Sequence, residues 1–420
     1  MERIETVVVG GGQAGLALSC HLSRHGCEHV VLERGRLAER WRAQRWDSLM
    51  FQFPNWSIEL PGARYEGDDP DGFSHRGVVQ AFIAEYALRI RAPVRVGVDA
   101  LAVRRSPRDG RYVVVTANGD IEACNVVLAT GPYQRPIVPD VAASLPRDLV
   151  QVHAADYRNP AQLPPGAVLL VGSGASGCQI AEELTEAGRR VFFSIGRHER
   201  VPRRYRGRDA FWWRRELGTL DQVAEATPKA MRTPPPLVTG VRGGYDVDLR
   251  RYPALGMVLT GRLVNARDGV AAFAPDLEHN LTLGDRAFVE FIRSVDGHVR
   301  RAGLDAPPAE EAAESSTESA PAVSPSTVNL RAEGIGAVIW ATGYAVDFGW
   351  VELPICDARG APLHRDGVTA APGIYFLGLP WLRKRKSSFL GGVGEDAMLI
   401  ADRIGRTGTP GARRAGSSAR

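Results

Sequence analysis

No C-x-x-C pair occurs among the five cysteines of this 420-residue chain: Cys20, Cys27, Cys124, Cys178 and Cys356. Their scatter gives no metal-ligand spacing and no dithiol that could accept electrons from a cofactor. It reads as the free thiols of a cytoplasmic protein. No apolar run reaches the ~18 residues of a membrane span. The N-terminus enters the strand-like run Ile4–Val9 with no signal-peptide pattern before it. Charge of one sign is scarce as well: the net charge is +4. Basic residues gather at 197–215 and 383–386, but no nucleic-acid motif accompanies them. Solvated surface or cofactor-phosphate contact explains them better than nucleic acid does. The expected partner is a small-molecule substrate, with neither nucleic acid nor membrane, and a homodimer is compatible with the sequence.

Glycine, in contrast, is plentiful, with 46 residues. Seven of them fall in two copies of G-x-G-x-x-G. The first is Gly10-Gly11-Gly12-Gln13-Ala14-Gly15, directly after Ile4–Val9; the second is Gly172-Ser173-Gly174-Ala175-Ser176-Gly177, directly after Ala167–Val171. Each opens a helical pattern that a further strand follows. In such a turn the first glycine permits the tight bend, and the second lets backbone approach a pyrophosphate. The third lets helix pack on strand. The pyrophosphate rests on N–H groups at the helix start. Two nucleotide cofactors held at once are therefore expected.

The two copies differ downstream. The strand after the first ends His29-Val30-Val31-Leu32-Glu33, and a carboxylate there accepts hydrogen bonds from a ribose diol. The strand after the second reads Arg190-Val191-Phe192-Phe193-Ser194. Laid over the first with a one-residue difference in connection length, it puts Ser194 in the place of Glu33, and Arg197 follows. A 2′-phosphate is repelled by a carboxylate and welcomed by a hydroxyl and an arginine. FAD is therefore expected at the first copy and NADPH at the second.

At 420 residues about two domains are expected. The fold class is α/β, with two Rossmann-like dinucleotide-binding domains, the second inserted into the first. The divisions fall at 1–160 (FAD domain, first part), 161–330 (NADPH domain), 331–405 (FAD domain, second part) and 406–420 (tail). Residues 305–327, rich in Ala, Glu, Ser, Pro and Thr, read as a disordered loop, and the Gly/Arg/Ser tail reads likewise. Strand candidates at 94–105 and 111–117 bracket a turn at Arg108-Asp109-Gly110, and 257–274 resembles a hairpin turning at Arg267-Asp268-Gly269. Residues 205–250 give no clear pattern. Two strand-Ala-Thr-Gly segments, ending at Ala129-Thr130-Gly131 and Ala341-Thr342-Gly343, suggest a strand returning beside each cofactor.

Together these motifs resemble the flavin-containing monooxygenases, and within them a bacterial subgroup of flavoprotein monooxygenases that share Pro202–Asp209, Trp381–Lys386 and Gly392–Ala397. The resemblance spans Gly10 to Ala397. His153-Ala154-Ala155-Asp156-Tyr157 matches the second half of the family's F-x-G-x-x-x-H-x-x-x-(Y/F) segment. Arg147 and Leu149 replace the Phe and Gly of the first half, and Tyr157 stands where Baeyer–Villiger enzymes carry Trp.

The resemblance implies Trp41 and Arg42 beside the flavin and Asn55 as the active-site amide that steadies a flavin C4a-hydroperoxide. It also implies a helix start at Gly392-Val393 whose amides face the flavin pyrimidine. His153 reads as a structural residue. The implied reaction transfers one oxygen atom to a nucleophilic nitrogen, sulfur or activated carbon. An NADPH oxidase or diaphorase, and a flavin-bearing regulatory protein, are the alternatives.

Overall fold

In a computed structural model, residues 1–107, 109–226, 234–309 and 324–407 are described. Arg108 of the expected turn, most of the expected 305–327 loop and nearly all of the expected tail lie outside them. Two parallel-cored sheets organise the chain. The first is built from β1 (Glu2–Val9), β2 (His29–Glu33), β3 (Val94–Val96), β4 (Ala100–Arg105), β5 (Tyr112–Thr116) and β6 (Ile121–Leu128). Its order is β3-β2-β1-β6-β5-β4. The second sheet holds β7 (Val150–His153), β8 (Ala167–Val171), β9 (Val191–Ser194), β10 (Val258–Thr260) and β11 (Ile335–Trp340), in the order β7-β11-β8-β9-β10. The chain then returns to the first sheet, where β12 (Ile374–Phe376) pairs with β6.

Both sheets are buried on two faces, so their central strands are continuous apolar runs rather than alternating ones. Val7, Val8, Val126 and Val127 are fully buried, as are Val168, Leu169, Leu170, Val338 and Ile339. Helix α1 (Gln13–Arg24) links β1 to β2, and α2 (Glu39–Ala43) and α3 (Arg76–Arg89) follow. Helix α4 (Ala175–Glu186) links β8 to β9. Short α5 (Ala210–Glu216), long α6 (Leu277–Ala302) and α7 (Leu390–Thr407) complete the set used below. Helix α7 packs back on α1, joining the two ends of the chain. The second sheet takes in Val150–His153 and Ile335–Trp340, on either side of the 161–330 stretch that the sequence assigned to it.

The hairpin at 263–273 turns through Asp268 (φ 51°) and Gly269 (φ 76°). Both Ala-Thr-Gly strands run parallel beside their own fingerprint strand, β6 on β1 and β11 on β8. No helix among the described residues is long and apolar enough to cross a membrane.

Candidate active site

The two glycine turns have one geometry. Gly10 has φ +114°, and a β-carbon there would sit 2.5 Å from the Ala129 carbonyl oxygen; one at Gly15 would sit 2.0 Å from the Gly10 oxygen. Gly172 has φ +106°, with the Ala341 oxygen 2.5 Å from its β-carbon position, and Gly177 would meet the Gly172 oxygen at 2.0 Å. The chain's own packing demands these four glycines. The Thr130 and Thr342 amides close the same two bends, 3.2 and 3.4 Å from the β-carbon positions.

Gly12 and Gly174 are different. Their φ values, −83° and −74°, suit any residue. A β-carbon at either would meet nothing within 4 Å. Each is the N-cap of a twelve-residue helix with no side-chain cap and no acid in its first turn. Uncapped N–H groups and the positive helix end suit an anion. The space a side chain would fill is thus left open where a diphosphate would lie, so the donor set and the room both fit a dinucleotide.

One cavity of about 1220 Å³ reaches both helix starts. It exceeds the ~300–1,000 Å³ of sites for single small ligands. Gly10, Gly12, Gln13, Ala14, Glu33, Thr130 and Ser388–Gly391 line it from one side, and Ala175, Ser176 and Gln179 from the other. The Glu33 carboxylate is fixed at the wall by accepting from the Gly11 and Gly35 amides, both at 2.9 Å, which leaves lone pairs for a diol. Gln13 donates to the Ser388 carbonyl at 2.7 Å, tying the start of α1 to the segment before α7. Ala14 is buried against Gly378. Trp41 lines the cavity edge-on to Phe51, 5.9 Å between centroids. Thr130 accepts from Gln134 at 2.9 Å, and Thr342 donates to the Ile137 carbonyl outside the cavity.

Four of the expected placements change. The Gly10 amide bonds the Leu32 carbonyl, and the Gly172 amide bonds the Ser194 carbonyl. The two connections therefore have equal length, and Ser194 is the counterpart of Leu32, not of Glu33. The counterpart of Glu33 is the buried Ile195. Ser194 is itself buried; its hydroxyl donates to the Gly261 carbonyl and accepts from the Leu263 amide, both at 3.0 Å. It is a crosslink and has nothing left for a phosphate. Arg197 is exposed and makes no ion pair among the described residues.

Asn55 is buried in a one-turn helix, and its amide donates to the Asp69 carbonyl at 2.8 Å. Its neighbours Phe53, Trp56 and Ser57 line the cavity, and Asn55 does not. Arg42 also lies off the cavity wall, where Arg40, Trp41 and Arg45 stand instead. The helix start comes earlier than expected. The Gly392 and Val393 amides already donate to the Phe389 carbonyl, at 3.1 and 3.0 Å, and both residues are buried. Leu390 and Gly391 form the cavity edge.

Phe211, Arg215 and Asp221 also reach the cavity, from the stretch the sequence left unread. The signal for α5 was present: Asp209 caps it, accepting from the Phe211 amide at 2.7 Å just before an aromatic run. Asp221 pairs with Lys384 at 2.7 Å and Lys386 at 2.8 Å, and Glu395 with Lys384 at 2.9 Å. These pairs hold both carboxyl groups below their usual range. Burial, helped by Arg34 and Arg45, lowers Arg40 to about 10. His153 accepts from the Ala155 amide at 3.1 Å, its other ring nitrogen bonds the Gly343 carbonyl, and burial lowers its pKa, which fits a structural residue. None of the five cysteines lines the cavity.

The family model for pyridine nucleotide-disulphide oxidoreductases matches residues 7–208. A Geobacillus kaustophilus protein described as a CzcO-like oxidoreductase is 31% identical over 404 residues, covering 96% of this chain and 98% of its own. Among solved structures, a double mutant of the flavin monooxygenase from Stenotrophomonas maltophilia superposes with a TM-score of 0.65 at 20% identity, over 97% of this chain and 99% of its own. The bacillithiol disulfide reductase Bdr from Staphylococcus aureus gives 0.61 at 14%, over 96% and 98%.

Proposed function

The chain belongs to the CzcO-like oxidoreductases, and from that premise we propose that it is an FAD- and NADPH-dependent monooxygenase. It places one oxygen atom of O₂ on a small nucleophilic substrate, at nitrogen, sulfur or an activated carbon. Bound FAD supplies the redox chemistry and the activation of oxygen. The chain's own residues bind, orient and exclude water. The start of α1, with Gly12 open and Glu33 fixed at the wall, holds FAD, assisted by Gln13, Ala14, Trp41 and Thr130. The start of α4, with Gly174 open and Ser176 and Gly177 behind it, holds NADPH, with Arg197 reading the 2′-phosphate. Leu390 and Gly391 present the positive end of α7 to the cavity, where it would stabilise negative charge on a bound cofactor.

One observation carries this reading: a single cavity reaches Gly12 at the start of α1 and Ala175 and Ser176 at the start of α4, and no cysteine lines it. The first half supports two nucleotides meeting. The second disfavours disulfide reduction by protein thiols and leaves an external acceptor for the electrons.

The test is direct. Protein purified without added cofactor should carry a flavin absorption band, release FAD on denaturation, and lose the band when NADPH is added without air. A colourless, folded protein that cannot be reconstituted with FAD would overturn the reading.

A further inference from the structure

Six aromatic rings from three distant stretches meet along the cavity wall: Trp41, Phe51, Phe53, Trp56, Phe211 and Phe389. Phe53 lies 4.5 Å from Phe211 and 5.3 Å from Phe389, centroid to centroid, and Trp56 lies 5.5 Å from Phe211. These rings touch one another and form a continuous aromatic face, which a further planar ring covers better than a flexible chain does. The Arg215 guanidinium sits 4.6 Å over Trp56, at the cavity rim. Arg215 is exposed and makes no ion pair among the described residues.

The neighbouring charges are otherwise occupied. Lys386 is paired with Asp221 and Glu395, and Asp221 with Lys384 as well. Glu59 also lines the cavity, against Gly391 at the start of α7. Arg45 also lines the cavity, but over Trp41, 5.7 Å from its ring; beside Phe53, Trp56, Phe211 and Phe389 the cation without an ion pair among the described residues is Arg215.

We propose that the substrate is a planar aromatic compound carrying an anionic group such as a carboxylate. Its ring packs on the face formed by Phe53, Trp56, Phe211 and Phe389, and its anion faces Arg215. This rests on the monooxygenase reading above and narrows its substrate.

The test uses the FAD-loaded protein and four probes: naphthoate, naphthylmethanol, naphthylmethylamine and octanoate. Binding is read by calorimetry and by perturbation of the flavin spectrum, with no turnover needed. Naphthoate should bind tightest. Arg215→Gln should weaken naphthoate about fivefold, the scale of a rim charge pair of about 1 kcal/mol, and leave naphthylmethanol within about twofold. Arg215→Lys should retain most of the naphthoate affinity. The proposal is overturned if naphthylmethylamine or octanoate binds as tightly as naphthoate, or if Arg215→Gln weakens the acid and the alcohol alike. A yellow protein that binds none of the naphthyl probes overturns this proposal alone, whereas a protein that takes up no FAD overturns the earlier reading.

Discussion

Gly12 and Gly174 occupy the same place in two copies of one turn, and a β-carbon at either would touch no atom within 4 Å. Their neighbours Gly15 and Gly177 would each drive a β-carbon to 2.0 Å from a backbone oxygen. The difference separates folding from ligand binding. Gly12→Val should fold, with stability changed by about 0.5 kcal/mol, yet lose the flavin band. Gly174→Val should keep FAD and lose NADPH binding. Gly15→Ala should lose stability first, because backbone must shift. Thermal melts and flavin content measured on the same samples distinguish these outcomes.

Coenzyme choice should follow Arg197 and not Ser194. Arg197→Ala removes a charge-assisted phosphate contact of roughly 1.5–3 kcal/mol. The NADPH Michaelis constant should rise about tenfold or more, while NADH is nearly unaffected. Ser194→Ala should leave the NADPH/NADH ratio unchanged and lower the melting temperature, since it strips a buried crosslink between Gly261 and Leu263. Equal losses with both coenzymes in Arg197→Ala would remove Arg197 from the 2′-phosphate site.

Asn55→Ala tests the corrected placement. The side chain holds the Asp69 carbonyl rather than facing the cavity. Loss of that buried hydrogen bond should cost about 1–2 kcal/mol of stability. The ratio of hydrogen peroxide formed to NADPH consumed should not change. A stable variant that diverts electrons to peroxide would return Asn55 to the chemistry.

Acid should destabilise the fold before its carboxylates titrate. His29, His153, His198 and His364 all have pKa values lowered from 6.5, chiefly by burial. The unfolded chain takes up protons near 6.5 while the folded chain resists them. Stability is therefore complete above that value and is lost as pH falls through it toward the lowered folded values. Melting temperatures should drop between about pH 7.5 and 5.5. A flat or rising profile would mean these rings are protonated in the fold.

The fold was legible where local rules agree with tertiary packing. Strand, glycine turn and helix recur in order at Val9–Gly15 and Val171–Gly177, and the carboxylate of Glu33 sits where the motif requires. Ser194 was misread because sequence alone could not show which carbonyl the first glycine's amide bonds. Asn55 and Arg42 failed for a related reason: in short one-turn helices, neighbouring side chains are turned about 100–120° from each other, and only tertiary contacts decide which faces the cavity. At the start of α7 the clustered glycines drew attention to Gly392, but Phe389 had already accepted the amides of Gly392 and Val393. The aromatic wall was illegible because Phe53, Phe211 and Phe389 converge from separate stretches.

The most direct measurement supplies NADPH and isotopically labelled ¹⁸O₂ to the FAD-loaded protein, with a panel of nitrogen, sulfur and activated-carbon nucleophiles that includes aromatic acids. Product mass, NADPH loss and hydrogen peroxide are followed together. Expected is a product with one labelled oxygen atom for a member of the panel, with peroxide well below the NADPH consumed. Peroxide formed one-for-one with NADPH, and no labelled product across the whole panel, would contradict a monooxygenase and leave an NADPH oxidase.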